Sequence, residues 1–350
     1  MGLADLLAGD QLEAYLMLQG LLREVWGGVE TSESIPPLEQ RISLSITKVA
    51  KHGFVPCIHA DREDSAAYQR AQDILVTYPF VKKRLGGGEA QSAYPEAYKI
   101  PKHAITGKLM PGSAISHGRY PFGTLGCVVE AEIGHVKSRF VVTAAHVVAL
   151  NDHAKLDDPV YCPGKRSVER ITRRDAFGIL ENTIDLYPLN PKSRGDYEDD
   201  VSIDIDVALI RITDEDPRRC PIETRVPHPR YPKEKTIKIT GVVPEDKLGD
   251  VLTDEVYLFG AASGFSIGLL TDVGITKKVL RLPDRLNYMY HDLLGIAAKD
   301  GKSFSQPGDS GAMVYTKDEL LLGFLIGADS SMSFACIGER ALKEFKARIV

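Results

Sequence analysis

Three short stretches carry residue types that can act together. Gln306-Pro307-Gly308-Asp309-Ser310-Gly311 sets a serine between an aspartate and two glycines. Thr143-Ala144-Ala145-His146 ends a β-branched run on a histidine, and Asp206-Val207-Ala208-Leu209 opens an apolar run with an aspartate. A serine hydroxyl is a poor nucleophile at neutral pH. It needs a base beside it and a third group that holds the base's tautomer. It also needs N–H donors aimed at the oxygen that turns negative during acyl transfer. Ser310 is the candidate nucleophile, His146 the base and Asp206 the orienting carboxylate. The backbone amides of Gly308 and Ser310 are the candidate oxyanion donors, because Gly308 leaves room for an incoming carbonyl and Gly308 and Gly311 tolerate unusual backbone angles. Plainer readings stand beside these. Gly-Asp-Ser-Gly is also ordinary turn chemistry, and a lone histidine is more often a core residue. Asp206 is expected to be buried, and a buried carboxylate needs a partner. Asp204, with the same strand parity, is the alternative to it.

The elements that must position these residues are mostly strands. From about Gly123 the apolar period is two. Strands are expected at 124–132, 139–145, 168–180, 206–212, 236–243, 256–261, 286–298, 312–316, 320–326 and 331–337, with an amphipathic helix over 339–348. Many short strands between Gly, Pro and Asp turns indicate a sandwich or barrel. Prolines 217, 221, 227, 229 and 232 exclude a central strand from 213–235, which reads as an extended connector.

Ahead of this lies a helix-rich or α+β unit over residues 1–85. The spacing of Leu6, Leu7, Tyr15, Leu18, Leu22 and Trp26 predicts a helix over 3–26. A second helix is expected over 38–52 from Ile42, Ile46 and Val49, then a short strand at 54–59 and a helix from about 64 to 78. This unit shows no chemistry of its own and is a candidate partner-binding or regulatory region. His52, Cys57 and His59 are close in sequence, but a polar helix end and a strand residue is the better reading, and no metal is expected. Lys82-Lys83-Arg84 reads as a solvated helix end, and 86–110 as a linker.

Composition narrows the function classes. The chain of 350 residues is 43% hydrophobic and 26% charged, with a formal net charge of -5. Those are values of a folded protein of about two domains. No basic cluster tracks a phosphate backbone, so nucleic acid is not an expected partner. Leu3 to Trp26 carries too many acidic residues for a signal peptide or a membrane span. The five cysteines are scattered without metal spacing and are expected to be reduced, in the cytoplasm.

The three stretches, in the order His, Asp, Ser, resemble the chymotrypsin-like serine peptidases of the PA clan. The resemblance covers roughly residues 110–350. It implies a mainly β fold of two antiparallel six-stranded-type barrels with a C-terminal helix and a cleft between them. The first barrel would span about 111–212, the connector 213–235 and the second barrel 236–350. It also implies serine endopeptidase activity on protein or peptide substrates without a cofactor, with the roles already given to His146, Asp206, Ser310 and Gly308. Departures point to intracellular members: Val147 stands where secreted forms carry a cysteine, and no cleavable Ile-Val-Gly-Gly start precedes the first barrel. Phe304 occupies the position of the trypsin-type pocket aspartate, so Phe304 and Ala328 are candidate pocket residues and a basic-residue preference is not implied. Two alternatives remain: a catalytically silent binding module, and a latent protease inhibited by its N-terminal region.

Overall fold

A computed structural model of the chain describes residues 6–27, 42–50, 53–60, 66–85, 90–92, 104, 108–117, 122–133, 136–149, 154–162, 176–184, 205–213, 221–281, 286–299 and 303–350. The front segment begins with helix α1 (Asp10–Gly27). Ala14, Tyr15, Leu18 and Leu22 form its buried stripe, and Asp10 and Glu13 sit in the first turn, where the helix dipole favours acid. Strands β1 (Ile42–Val49) and β2 (Gly53–Ala60) form an antiparallel hairpin. This corrects the helix expected over 38–52. Ile42 and Ile46 fit either period, but Ser43, Ser45 and Thr47 alternate with Leu44 and Ile46, and that period-two pattern belongs to a strand. Helix α2 (Ala66–Thr77) falls where expected. Lys82–Leu85 is strand β3, parallel to β2, and not a helix end. Ala90–Ser92, inside the expected linker, is a short strand β4.

The front hairpin is joined to the second barrel through its sheet. The free edge of β1 pairs with a strand of that barrel, Leu44 opposite Thr276 and Ile46 opposite Val273. One hydrophobic core accordingly holds Leu18, Leu44, Ile46 and Ile58 together with Val273, Leu294, Ile296 and Leu325.

The first of two large sheets contains β5 (Ala114–His117), β6 (Gly123–Thr124), β7 (Cys127–Ile133), β8 (Val136–Thr143), β9 (Pro159–Tyr161), β10 (Ala176–Thr183) and β11 (Ala208–Ile212). Its order is β7-β8-β11-β10-β9-β5-β6. Setting aside the short C-terminal strand that adds outside β7, the end strands β6 and β7 are consecutive pieces of one stretch, so the sheet curls round on itself. At the junction Leu125 N–H donates to Ser113 O on one side, and Gly126 N–H donates to Val142 O on the other. Four-residue helix α3 (Ala145–Val148) follows β8.

A two-stranded ribbon of β12 (Arg225–His228) and β13 (Tyr231–Lys238) connects the sheets. Pro227 and Pro232 are tolerated in it because each strand is an edge. Tyr315 OH donates to Pro227 O at 2.7 Å and ties the ribbon to the second barrel. After β14 (Gly241–Val242), that barrel is built from β15 (Glu255–Gly260), β16 (Gly264–Arg281), β17 (Leu286–Ala298), β18 (Met313–Thr316), β19 (Leu320–Ala328) and β20 (Met332–Ile337). Each strand hydrogen-bonds the next around β15-β16-β17-β20-β19-β18 and back to β15, a closed barrel. Helix α4 (Gly338–Glu344) comes next, and β21 (Arg348–Ile349) returns to pair with β7 of the first sheet. The mainly β, two-barrel architecture is the expected one. The sheets share two cores. In one, Val141, Val147 and Ile210 meet Tyr290, Leu293 and Phe334. In the other, Phe140, Val142 and Leu209 meet Tyr257, Tyr315 and Phe324. Each such side chain contributes about 1.5–3 kcal/mol by leaving water. Among the described residues no helix is long and apolar enough to cross a membrane.

Candidate active site

The candidate base and its carboxylate are delivered by neighbouring strands. Thr143, the end of β8, lies opposite Ala208, the start of β11. The antiparallel register therefore brings Asp206 beside Ala145 and His146. Ala144 is still extended, and its small side chain and that of Ala145 let the chain turn directly into α3. Ala145 N–H then donates to Asp206 O at 3.2 Å. His146 N–H donates to Asp206 Oδ1 at 3.1 Å, and His146 Nδ1 meets Oδ2 at 2.8 Å. The carboxylate thus grips one residue through both its backbone and its ring. Asp206 is fully buried and His146 is 2% exposed. An unpartnered carboxylate in that position would cost several kcal/mol. Asp204 lies outside the described residues.

The second barrel adds two partners that the sequence did not announce. Tyr290 OH, on β17, donates to Asp206 Oδ2 at 3.1 Å. Asp206 N–H donates to Cys336 Sγ, on β20, at 3.2 Å. They stand 84 and 130 positions from Asp206 along the chain, and no local pattern marks either one.

The serine lies in the turn between β17 and β18. Asp309 holds that turn from inside. Its Oδ1 accepts from Ala262 N–H and Ser263 N–H, and its Oδ2 accepts from Gln306 N–H, at 2.8–3.0 Å. Burial pushes the Asp309 carboxyl above the usual carboxylate range, with the amide donors pulling the other way. Among the described residues, these three backbone amides donate to the Asp309 carboxylate. Gly308 and Gly311 both adopt positive φ, +105° and +89°, a region open to glycine and costly for other residues.

Thr124 and Thr143 fasten this turn to the first sheet. Thr124 N–H donates to Ser310 O, Thr124 Oγ1 donates to Gly308 O, and Thr143 Oγ1 donates to Thr124 O, each at 2.8 Å. A Cβ on Gly311 would lie 2.2 Å from Thr143 Oγ1 and 2.7 Å from Ala144 N. The backbone after Ser310 therefore touches the strand end that carries His146. Ser310 is partly buried. The amides of Gly308 and Ser310 donate to no described residue.

The two candidate pocket residues part company. Phe304 packs in the core of the second barrel, against Gly268. Ala328 lies at the end of β19, opposite Ser333 of β20 on one side and Gln91 of β4 on the other.

A second polar cluster lies on the front sheet. Ser45 Oγ donates to Asp272 Oδ1 at 2.8 Å and meets His59 Nε2 at 2.7 Å, and Arg84 Nη1 is 2.7 Å from Asp272 Oδ2. Burial pushes the Asp272 carboxyl up, but His59 and Arg84 outweigh it and leave the group below its ordinary value. Burial and then the Asp272 charge push the Cys57 thiol up to about 12. Cys57, His59 and Asp272 bring ligand atoms within 4.8 Å of one another, so the geometry could accept a cation. The chemistry does not call for one. Arg84 already balances Asp272, the thiol is held protonated, and the Ser45 hydroxyl fills the space between His59 and Asp272. His52 lies outside the described residues.

No family model and no curated protein matches the chain. Solved structures do. The chain is similar to Thermobifida fusca Protease A at 15% identity, over 69% of this chain and 98% of that one, with a TM-score of 0.44. It is similar to a glutamic acid specific serine protease at 16% identity, over 69% of this chain and 100% of that one, with a TM-score of 0.45. Both structural neighbours are proteases by name, the second a serine protease.

Proposed function

We propose that the chain is a serine endopeptidase that cleaves protein or peptide substrates through an acyl-enzyme on Ser310. His146 Nε2 takes the Ser310 Oγ proton as Oγ attacks the scissile carbonyl carbon. The oxyanion so formed accepts from the amides of Gly308 and Ser310. His146 then gives its proton to the leaving amine, and water repeats the sequence to release the acid. Asp206 keeps the proton on Nδ1, which leaves the Nε2 lone pair for the serine, and it stabilises the imidazolium. The observation that carries this reading is the two-point grip of Asp206 on His146, beside a serine turn with two unclaimed amides. No disulfide joins the described cysteines, which suits an intracellular setting. The test is labelling of the purified protein by a fluorophosphonate, compared with Ser310→Ala. Equal labelling of both, or none of the wild type under any condition including limited proteolysis, would sink it.

A latent form of this enzyme is favoured by strand β4. Beyond β18, the edge of β19 first meets the serine turn, with Gly311 N–H donating to Leu325 O and Leu325 N–H donating to Ala312 O. Three residues further, Ala328 pairs antiparallel with Gln91. Strand β4, which pairs mainly with β16, thus also reaches the edge of β19 beyond the serine turn, where an extended peptide would add a strand. A Gln91→Cys/Ala328→Cys disulfide should hold the enzyme inactive, and reduction should restore hydrolysis. Full activity of the oxidised form would remove latency and leave the endopeptidase reading intact.

A further inference from the structure

We infer that Tyr290 is a positioning residue that registers the base's carboxylate against the barrel carrying the nucleophile. The inference rests on the endopeptidase reading and extends it. His146 and Asp206 belong to the first sheet, and Ser310 belongs to the second barrel. Correct geometry between base and nucleophile therefore depends on how the two bodies register, to within about half an ångström. Tyr290 spans that boundary. Its ring lies fully buried in the core shared by the sheets, and its hydroxyl donates to Asp206 Oδ2, the same oxygen that meets His146 Nδ1. Cys336, also from the second barrel, accepts from the Asp206 amide. The carboxylate is thus held from both sides, while its other oxygen fixes the His146 backbone.

The phenol does a second thing. A hydrogen bond donated to Oδ2 spreads the carboxylate's charge and moderates its pull on the imidazolium. Removing the hydroxyl alone should leave more charge facing His146 and make the imidazole harder to deprotonate. Titratable groups among the described residues near this pair include Cys336 on β20, and His117 on β5, which packs beside α3 and is held by Asp158 at 3.2 Å. Neither is changed by a substitution at Tyr290.

The experiment is Tyr290→Phe in the full chain, which keeps the ring in the core. Three readings are needed: peptide hydrolysis against pH, the His146 titration followed by NMR, and Tm. The expected result is a fall in kcat of about 10-fold with KM nearly unchanged. The acid limb of kcat/KM and the NMR midpoint of His146 should both move to higher pH. Tyr290→Leu should lose Tm as well, which separates packing from the hydroxyl. An unmoved His146 midpoint in Tyr290→Phe overturns the inference, as does a kcat change that follows Tm alone. The NMR titration needs no hydrolysis, so it reads the Tyr290 contact even where Ser310→Ala and wild type prove equally inactive. In that event the endopeptidase reading fails separately.

Discussion

Among the described residues, a bonded cluster of serine, histidine and aspartate can be set beside the candidate catalytic residues. Ser45 and His59 lie on the front hairpin and Asp272 on the neighbouring β16, and the Ser45 hydroxyl bonds to both of the others. Ser310, His146 and Asp206 join two bodies, with the serine on a turn that runs through positive φ. In the front cluster the serine hydroxyl is fully buried, points its proton at Asp272 and has Arg84 behind that carboxylate. Among the described residues, no strained turn with a pair of unclaimed amides lies beside it. Around Ser310 and His146, both carboxylate oxygens of Asp206 bond to His146 and one also accepts from Tyr290, while the serine retains accessible surface and a turn with two amides that donate to no described residue. Residue types alone do not distinguish the two. Backbone donors, accessibility and where the countercharge sits do.

The sharpest way to break the comparison is to remove each serine. Ser310→Ala should lower kcat by about a million-fold with little change in Tm. Asp206→Asn should come second, with a loss of about 10,000-fold, because the amide would favour the wrong imidazole tautomer. The front cluster should answer in stability instead. Arg84→Met leaves the Asp272 charge uncompensated and should cost about 3 kcal/mol by urea denaturation, the low end for a broken buried pair because Arg84 is 32% exposed. Ser45→Ala should cost about 1–3 kcal/mol and leave kcat unchanged. A million-fold loss of turnover in Ser45→Ala would reverse the assignment of the two clusters.

The smallest effect is in the acid range. The Asp272 carboxyl titrates lower when folded than its ordinary 3.8. Its contribution to stability is therefore present above 3.8 and lost as the pH falls through the depressed value. Asp309, raised by burial, has the opposite sign: its contribution is present below 3.8 and fades as the pH rises through the raised value. Asp272→Asn should flatten the acid side of the urea midpoint plotted against pH. An unchanged acid side in that variant would deny Asp272 its countercharge.

How much the sequence reveals depends on how local the physics is. Strand β17 is legible from end to end, and α2 nearly so, because their periods are unambiguous. His146, Asp206 and Ser310 each sit in a distinct local setting, so all three can be named without their distances. Strand β1 reads wrongly as a helix because Ile42 and Ile46 satisfy both periods and only the intervening serines decide. Arg84 passes for a surface charge, since its partner Asp272 lies on a strand far along the chain. Tyr290 and Cys336 are invisible for the same reason: they matter only once the two sheets have docked.

Strand β21 carries a consequence for synthesis. It comes after every other described element, yet it pairs with β7, and the Arg348 bond to Glu130 spans 218 positions. Contacts so distant form late, because a long loop must close before they return any stabilisation. On the ribosome, His146 and Asp206 emerge first, the Ser310 turn next, and β21 after both. The first sheet waits for its clamp. On the endopeptidase reading, a nascent chain is therefore not yet a hydrolase, and competence arrives only with the strands translated after the Ser310 turn.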